Sequence, residues 1–261
     1  MPVKEARSFR SKIRVRGFSL KIFQNIHVPP SQPQRDKSTI TQATMEDAKK
    51  AKIKIRTESS NASPASSEEL EAAVDIGQDA FDGDPDGEIE TILRDANSDP
   101  TALPMFSILA YEETVSKETT NDQEQPIGHV LFTAAKLDPN PLELQAAILA
   151  PLGVRSKFHK RGVGNALGQA GLNQLRDNNI DLCFVLGWPQ YYPRFGFLPA
   201  DPYGLETPFA EERHPEGAWM VLSLNPDKLD ITKTFSKDKT TRVICCDALN
   251  QRKYWMAPDH A

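Results

Sequence analysis

Residues 155–164 hold the densest grouping of side chains that could do chemistry. A basic turn, Arg155-Ser156-Lys157-Phe158-His159-Lys160-Arg161, runs directly into Gly162-Val163-Gly164 and a long helical pattern. A helix start presents N–H groups without intrahelical partners and the positive end of the helix dipole. Glycines let such a backbone approach an oxyanion closely, and basic side chains add attraction. The turn therefore fits a phosphate or pyrophosphate ligand. The competing reading is a solvated basic loop before a helix whose glycines, Gly168 and Gly171 included, serve close packing. The turn alone leaves both open.

The elements that must position this turn are legible on either side of it. An apolar run ends at Val154, and a second covers residues 182–186, so the turn sits in a strand–turn–helix–strand unit. Two nucleotide folds fit poorly. A Walker P-loop needs G-x-x-x-x-G-K-[ST], which the chain lacks. A dinucleotide fingerprint needs its glycines in a tight turn after the strand; here a seven-residue loop separates Val154 from Gly162, Gly168 is one place late, and Asp181 precedes its strand.

Elsewhere the chain reads as an α/β mixture. Residues 52–56 alternate as a strand, and residues 67–81 form a helix capped by Ser66 or Ser67. A turn over 82–87 leads to a second helix over 88–96 with Ile89, Ile92 and Leu93 on one face. Strands follow over 106–111 and 127–135, joined by a polar hairpin loop over 114–125. A turn over 138–141 leads to the strand ending at Val154. After residue 197 come an irregular stretch over 201–215, a strand over 218–224 and a last strand over 241–246. This makes one domain over 52–261 with a mixed sheet. Residues 1–51 read as a basic, disordered extension and linker.

Composition narrows the classes. The 261 residues are 39% apolar and 26% charged, as in an ordinary globular protein. No apolar run approaches the ~20 residues that span a bilayer. Cys183, Cys245 and Cys246 lie in apolar runs without metal-ligand spacing and read as buried free thiols. Residues 1–40 hold nine Lys/Arg against Glu5 and Asp36, a charge of +7, whereas the remainder is at −12. The basic arm raises a nucleic-acid reading, which the acidic body opposes. It also resembles an organellar transit segment in composition. The expected location is cytoplasmic, or a mitochondrion or plastid if the arm is such a segment.

Leu152-Gly153-Val154, the basic loop and His159-Lys160-Arg161-Gly162-Val163-Gly164 resemble the acetyl-coenzyme A motif of the GNAT superfamily of N-acetyltransferases, Q/R-x-x-G-x-G/A. His159 stands where the family has Gln or Arg. Tyr192-Pro193-Arg194-Phe195-Gly196-Phe197 matches the family's Y-x-x-x-G-F. With Trp188-Pro189-Gln190-Tyr191 before it, this resembles the bacterial-type branch ending in Y-Y-x-R-F-G-F.

The resemblance implies the GNAT fold, a mixed and mostly antiparallel central sheet with a splayed βαβ acetyl-CoA cleft. It implies acetyl-CoA as co-substrate, no metal, and direct attack of an amine on the thioester. The backbone of Leu152, Gly153 and Val154 then pairs with the pantetheine arm and supplies the oxyanion donor. His159, Lys160, Arg161, Gly162, Val163, Gly164, Asn165 and Ala166 hold the pyrophosphate, and Tyr192 is the general acid, with Tyr191 as its rival. For the base, Glu112, Glu143 and His129 are candidates by position only. The acceptor is an amine of unknown size; Glu206, Glu211 and Glu212 would suit a cationic one. The expected assembly is a monomer or homodimer, without nucleic acid. The alternative is a coenzyme A-binding sensor without catalysis, to which the His159 departure points.

Overall fold

The structure, a computed structural model, describes residues 53–56 (backbone only), 63–112, 125–212 and 214–256. The basic extension and nearly all of the 114–125 loop lie outside the described residues.

Strand β1 (Ile53–Arg56) precedes two helices. Helix α1 (Ser67–Ala80) begins at a capping box: the Ser66 hydroxyl accepts from the Glu69 N–H while the Glu69 carboxylate accepts from the Ser66 N–H. Its buried residues Ala73, Val74, Ile76, Gly77 and Ala80 recur at helical spacing. Helix α2 (Glu88–Ser98) starts after Gly87, which has no side chain to cap it. Asp84 takes that role, accepting from the N–H groups of Ile89 and Glu90 at 3.2 and 3.0 Å.

Strands β2 (Phe106–Glu112), β3 (Pro126–Asp138) and β4 (Ala146–Val154) then meander. Helix α3 (Val163–Asp177) crosses to β5 (Leu182–Leu186). Short strands β6 (Leu198–Pro199) and β7 (Leu205–Glu206) precede β8 (Trp219–Ser223), the one-turn helix α4 (Ile231–Thr234) and β9 (Thr241–Cys245). The sheet runs β1-β2-β3-β4-β5-β8-β6. Its neighbours are antiparallel except β4 and β5, which are parallel.

The stretch over 201–215 is less irregular than its composition predicts. It holds β7, which runs parallel to β9, while β9 pairs with the last residues of β3. The buried indole N–H of Trp219 donates to the Leu205 carbonyl at 2.9 Å. Two-residue strands carry no period to read in sequence.

The core divides between the two faces of the sheet. Val74, Ile92, Leu131, Ile148, Phe184 and Trp219 belong to the cluster under α1 and α2. Val130, Phe132, Leu149, Leu167, Leu172 and Val185 belong to the one under α3. In β5, Leu182, Phe184 and Leu186 face one cluster and Cys183 and Val185 the other. Burial on both faces explains why β5 is a continuous apolar run rather than an alternating one.

Candidate active site

β4 and β5 pair only from Ala146↔Leu182 to Ile148↔Phe184. Both strands continue, β4 to Val154 and β5 to Leu186, so beyond Ile148 they diverge. The divergence coincides with a bulge: Phe132 of β3 faces Leu149, but Val130 faces Leu152, so β4 carries one extra residue there. A bulge bends its strand and increases the local twist. The extra residue falls at Ala150 and Pro151, and Pro151 has no N–H to donate. Residues 149–154 thus keep β3 on one side and have no ladder partner in β5 on the other.

The start of α3 lies against the end of β4, where Gly164 faces Leu152 and Val154. Lys160 and Gly162 both take left-handed backbone, with φ of 62° and 86°. Gly162, the N-cap, supplies no side-chain cap, and the first turn has no acidic residue. The orphan N–H groups of the first turn are therefore left for an external acceptor.

The four glycines of this region have different duties. A Cβ on Gly162 would meet nothing within 4 Å. A Cβ on Gly164 would lie 2.7 Å from the Tyr191 hydroxyl, 3.5 Å from Leu152 and 3.6 Å from Val154. Gly168 and Gly171 are packing glycines: a Cβ would lie 2.6 Å from the Phe195 ring and 2.0 Å from the Phe132 ring. The packing reading of the glycine pattern thus holds for Gly168 and Gly171, while Gly162 faces open space.

The basic loop is less free than its composition implies. Arg155 is turned inward: its Nε donates to the Pro126 carbonyl at 2.8 Å and its guanidinium pairs with Asp75 of α1. Arg161 pairs with Glu112 at 3.2 Å and lies over the Phe158 ring at 5.0 Å. Lys157 lies over the same ring at 5.4 Å. Lys160 is exposed and makes no ion pair among the described residues. Of the four Lys and Arg side chains in the loop, Arg155 and Arg161 thus already hold carboxylate partners. His159, at the Gln/Arg place, directs Nε2 to the Val154 carbonyl at 2.8 Å. Facing a carbonyl, that nitrogen donates, and the bond ties the loop back to the end of β4.

Tyr192 opens a 3-10 turn (Tyr192–Phe195) that ends at Gly196 with φ of 95°. The Y-x-x-x-G-F spacing is thus one tight turn closed by a left-handed glycine, after which Phe197 enters the core. The Tyr192 ring lies edge-on to Tyr191 at 5.1 Å and to Phe197 at 5.8 Å, and a Cβ on Gly187 would lie 2.3 Å from it. Neither phenol oxygen has a hydrogen-bond partner among the described residues. Burial pushes Tyr191 up to about 12, slightly offset by Arg194, whose guanidinium lies 4.2 Å from its ring. Burial, with smaller contributions from Tyr191 and Cys183, raises Tyr192 further. Both phenols are protonated across the working pH range.

The base candidates do not gather here. Glu112 is engaged by Arg161. Glu143 lies in the β3–β4 turn, at the end of β4 away from the divergence. His129 is buried beneath α1, with Nε2 2.9 Å from the Ser107 hydroxyl, and burial holds its pKa at about 3, against a slight upward pull from Glu69. A free imidazole protonates near 6.5, so the native state loses stability as pH falls from there towards 3. His129→Asn keeps a partner for Ser107 and removes this proton uptake. Between pH 7 and 4.5 the wild type is expected to lose about 2–3 kcal/mol more than the variant, read from urea midpoints. Of the acidic residues considered for a cationic acceptor, Glu206 lies 3.9 Å from Arg242 and Glu212 2.6 Å from Arg252. No metal-holding cluster of His, Cys, Asp or Glu occurs among the described residues, and no described helix is long and apolar enough to cross a membrane.

A mixed sheet whose parallel pair splays open onto an uncapped helix start is the GNAT fold. The chain is 33% identical over 135 residues to the Escherichia coli (strain K12) protein named uncharacterized N-acetyltransferase YjhQ, covering 51% of this chain and 69% of that relative. It is 34% identical over 119 residues to uncharacterized N-acetyltransferase YhbS of the same organism, covering 45% of this chain and 67% of the relative. The crystal structure of YhbS with CoA superposes with a TM-score of 0.58 at 20% identity, over 82% of this chain and 97% of that one. A GNAT acetyltransferase from Brucella melitensis with acetyl-CoA gives 0.51 at 18% identity, over 76% and 99%. No family model matches the chain. The chain belongs to the GNAT family of N-acetyltransferases.

Proposed function

We propose that the chain transfers the acetyl group of acetyl-CoA to an amine by direct attack on the thioester. The observation that carries this is the opening of β4 from β5 onto the uncapped start of α3, with Tyr191 against Gly164 at its mouth. The solved relatives carry CoA or acetyl-CoA, which is the ligand this cleft would take. In this reading the backbone of Leu152, Gly153 and Val154 pairs with the pantetheine arm and donates to the thioester oxygen. The N–H groups of residues 162–166, with Lys160 and Arg161 nearby, hold the pyrophosphate.

The amine nitrogen forms a bond to the carbonyl carbon, and the carbonyl electrons move onto oxygen, where a backbone donor stabilises them. When the oxyanion collapses, the C–S bond breaks and its electron pair leaves on sulfur. Tyr192 supplies the proton that meets that pair, and the nitrogen gives up its surplus proton to solvent. The ending over 188–197 supports placement in the branch with Y-Y-x-R-F-G-F.

The test is thiol release from acetyl-CoA across a panel of small amines, amino acids, peptides and lysine-bearing proteins. Release with at least one acceptor is the expected result. Thermal stabilisation by acetyl-CoA with no release on any acceptor would instead make the chain a coenzyme A sensor.

His159 supplies a second test. Its bond to Val154 braces the loop, so His159→Ala is expected to raise the KM for acetyl-CoA about three- to tenfold. His159→Gln has a side-chain amide that can donate to the same carbonyl and is expected to stay within about twofold of wild type.

A further inference from the structure

We propose that Asp79, supported by Asp75, positions the coenzyme A loop from helix α1. This rests on the reading that the N–H groups of residues 162–166, with Lys160 and Arg161 nearby, hold the pyrophosphate.

Asp75 and Asp79 are one helical turn apart and lie on the same exposed side of α1. The Asp79 carboxylate accepts the backbone N–H of Ser156 at 2.7 Å, and the Ser156 hydroxyl donates to the Asp79 carbonyl at 3.4 Å. Asp75 pairs with Arg155, which also donates from its main chain to the Ile127 carbonyl at 2.9 Å. The first two residues of the loop are thus fixed both from β3 and from a helix nearly eighty positions earlier.

Ser156 begins a 3-10 turn (Ser156–Phe158) whose own N-cap, Arg155, makes no side-chain cap. Asp79 provides that cap from another element. The placement is electrostatically unfavourable on two counts. Asp79 lies in the last turns of α1, where the helix dipole disfavours a carboxylate, and that end carries no basic residue. It also puts negative charge beside a loop suited to an anion. A carboxylate in such a position is accounted for by what it holds, the loop backbone, rather than by general stabilisation of an exposed surface.

From this fixed start the chain rises through Lys160 and Gly162 into α3, so the angle at which Ser156 leaves β4 sets where the N–H groups of α3 point. Asp79 touches no ligand in this account. It acts through the loop.

The test compares affinity for acetyl-CoA with affinity for S-acetylpantetheine, which lacks the pyrophosphate, by calorimetry on the full chain. Asp79→Ala is expected to lower the ratio of the two affinities about tenfold, almost wholly through acetyl-CoA. Asp79→Asn, whose side-chain oxygen can still accept from Ser156, is expected to restore most of the ratio. Equal loss of both affinities would make Asp79 a purely structural residue and overturn the inference, as would an unchanged ratio. Asp75→Ala, which removes only the Arg155 arm, gives the same comparison with a smaller expected loss should Asp79→Ala fail to fold. A wild-type ratio near one would remove the pyrophosphate reading itself, before any substitution is made.

Discussion

Tyr192→Phe is expected to lower kcat about 10²- to 10³-fold while leaving the KM for acetyl-CoA within about threefold, measured by thiol release on any acceptor that turns over. The variant keeps the ring that packs against Gly187 and Phe197 and loses only the hydroxyl. That hydroxyl has no hydrogen-bond partner among the described residues, so its removal leaves no buried group stranded and thermal stability should hold. Tyr191→Phe is expected to cost less than about fivefold in kcat, because its oxygen lies over Gly164 at the start of α3. If Tyr191→Phe proved the damaging change and Tyr192→Phe the mild one, the proton donor would be the other phenol. Burial also predicts the form of the pH profile. With Tyr191 held at about 12 and Tyr192 higher still, no descending limb from tyrosine ionisation should appear near pH 10.

Gly171→Val should produce the largest loss of stability of any single change along α3. A Cβ there would lie 2.0 and 2.5 Å from the Cε2 and Cζ atoms of Phe132, a fully buried ring in the middle of the sheet. Neither partner can yield cheaply, since one is helix backbone and the other is enclosed by the core beneath α3. Overpacking of this kind costs about 3 kcal/mol or more, which corresponds to a fall of roughly 6–12 °C in Tm for a chain of this size. The affinity for acetyl-CoA should fall as well, because lifting α3 from β3 moves its first turn away from the end of β4. Gly171→Ala combined with Phe132→Leu should recover part of the Gly171→Ala loss, the signature of a direct contact in a double-mutant cycle. Gly162→Ala is a contrasting case. Its Cβ would enter open space, so its cost is limited to about 1 kcal/mol of left-handed backbone strain.

Several local features could be read without coordinates. A helix cap at Ser66 or Ser67, the helix faces of α1 and α2 and the apolar run of β5 are all encoded by residues within a few positions of one another. The strands over 127–135, 218–224 and 241–246 were equally visible, because each buries enough apolar surface to show as a run. β7 and α4 escaped notice because a two-residue strand and a single helical turn have no measurable period.

The basic loop shows where local reading ends. Four cations before a glycine pair read either as attraction for an anion or as a solvated loop. In the fold, Arg155 turns to Asp75 and Pro126 and Arg161 turns to Glu112, so half of that charge serves the loop's own geometry. Glu112, Glu206 and Glu212 change character in the same way, from candidate base or acceptor carboxylates to ion-pair partners. Which charge meets which is set by the elements that land side by side, and no spacing within the chain records that.

By itself the sequence determined the presence of a strand, a basic glycine turn, a helix and a second strand in that order, because each is specified by propensities and φ preferences of neighbouring residues. The tertiary structure alone decided which glycines pack and which stay open, where β4 leaves β5, and that α1 holds the turn through Asp79. Those are contacts between residues tens of positions apart. They arise only when two faces of one sheet are covered by different helices and the chain must fit both.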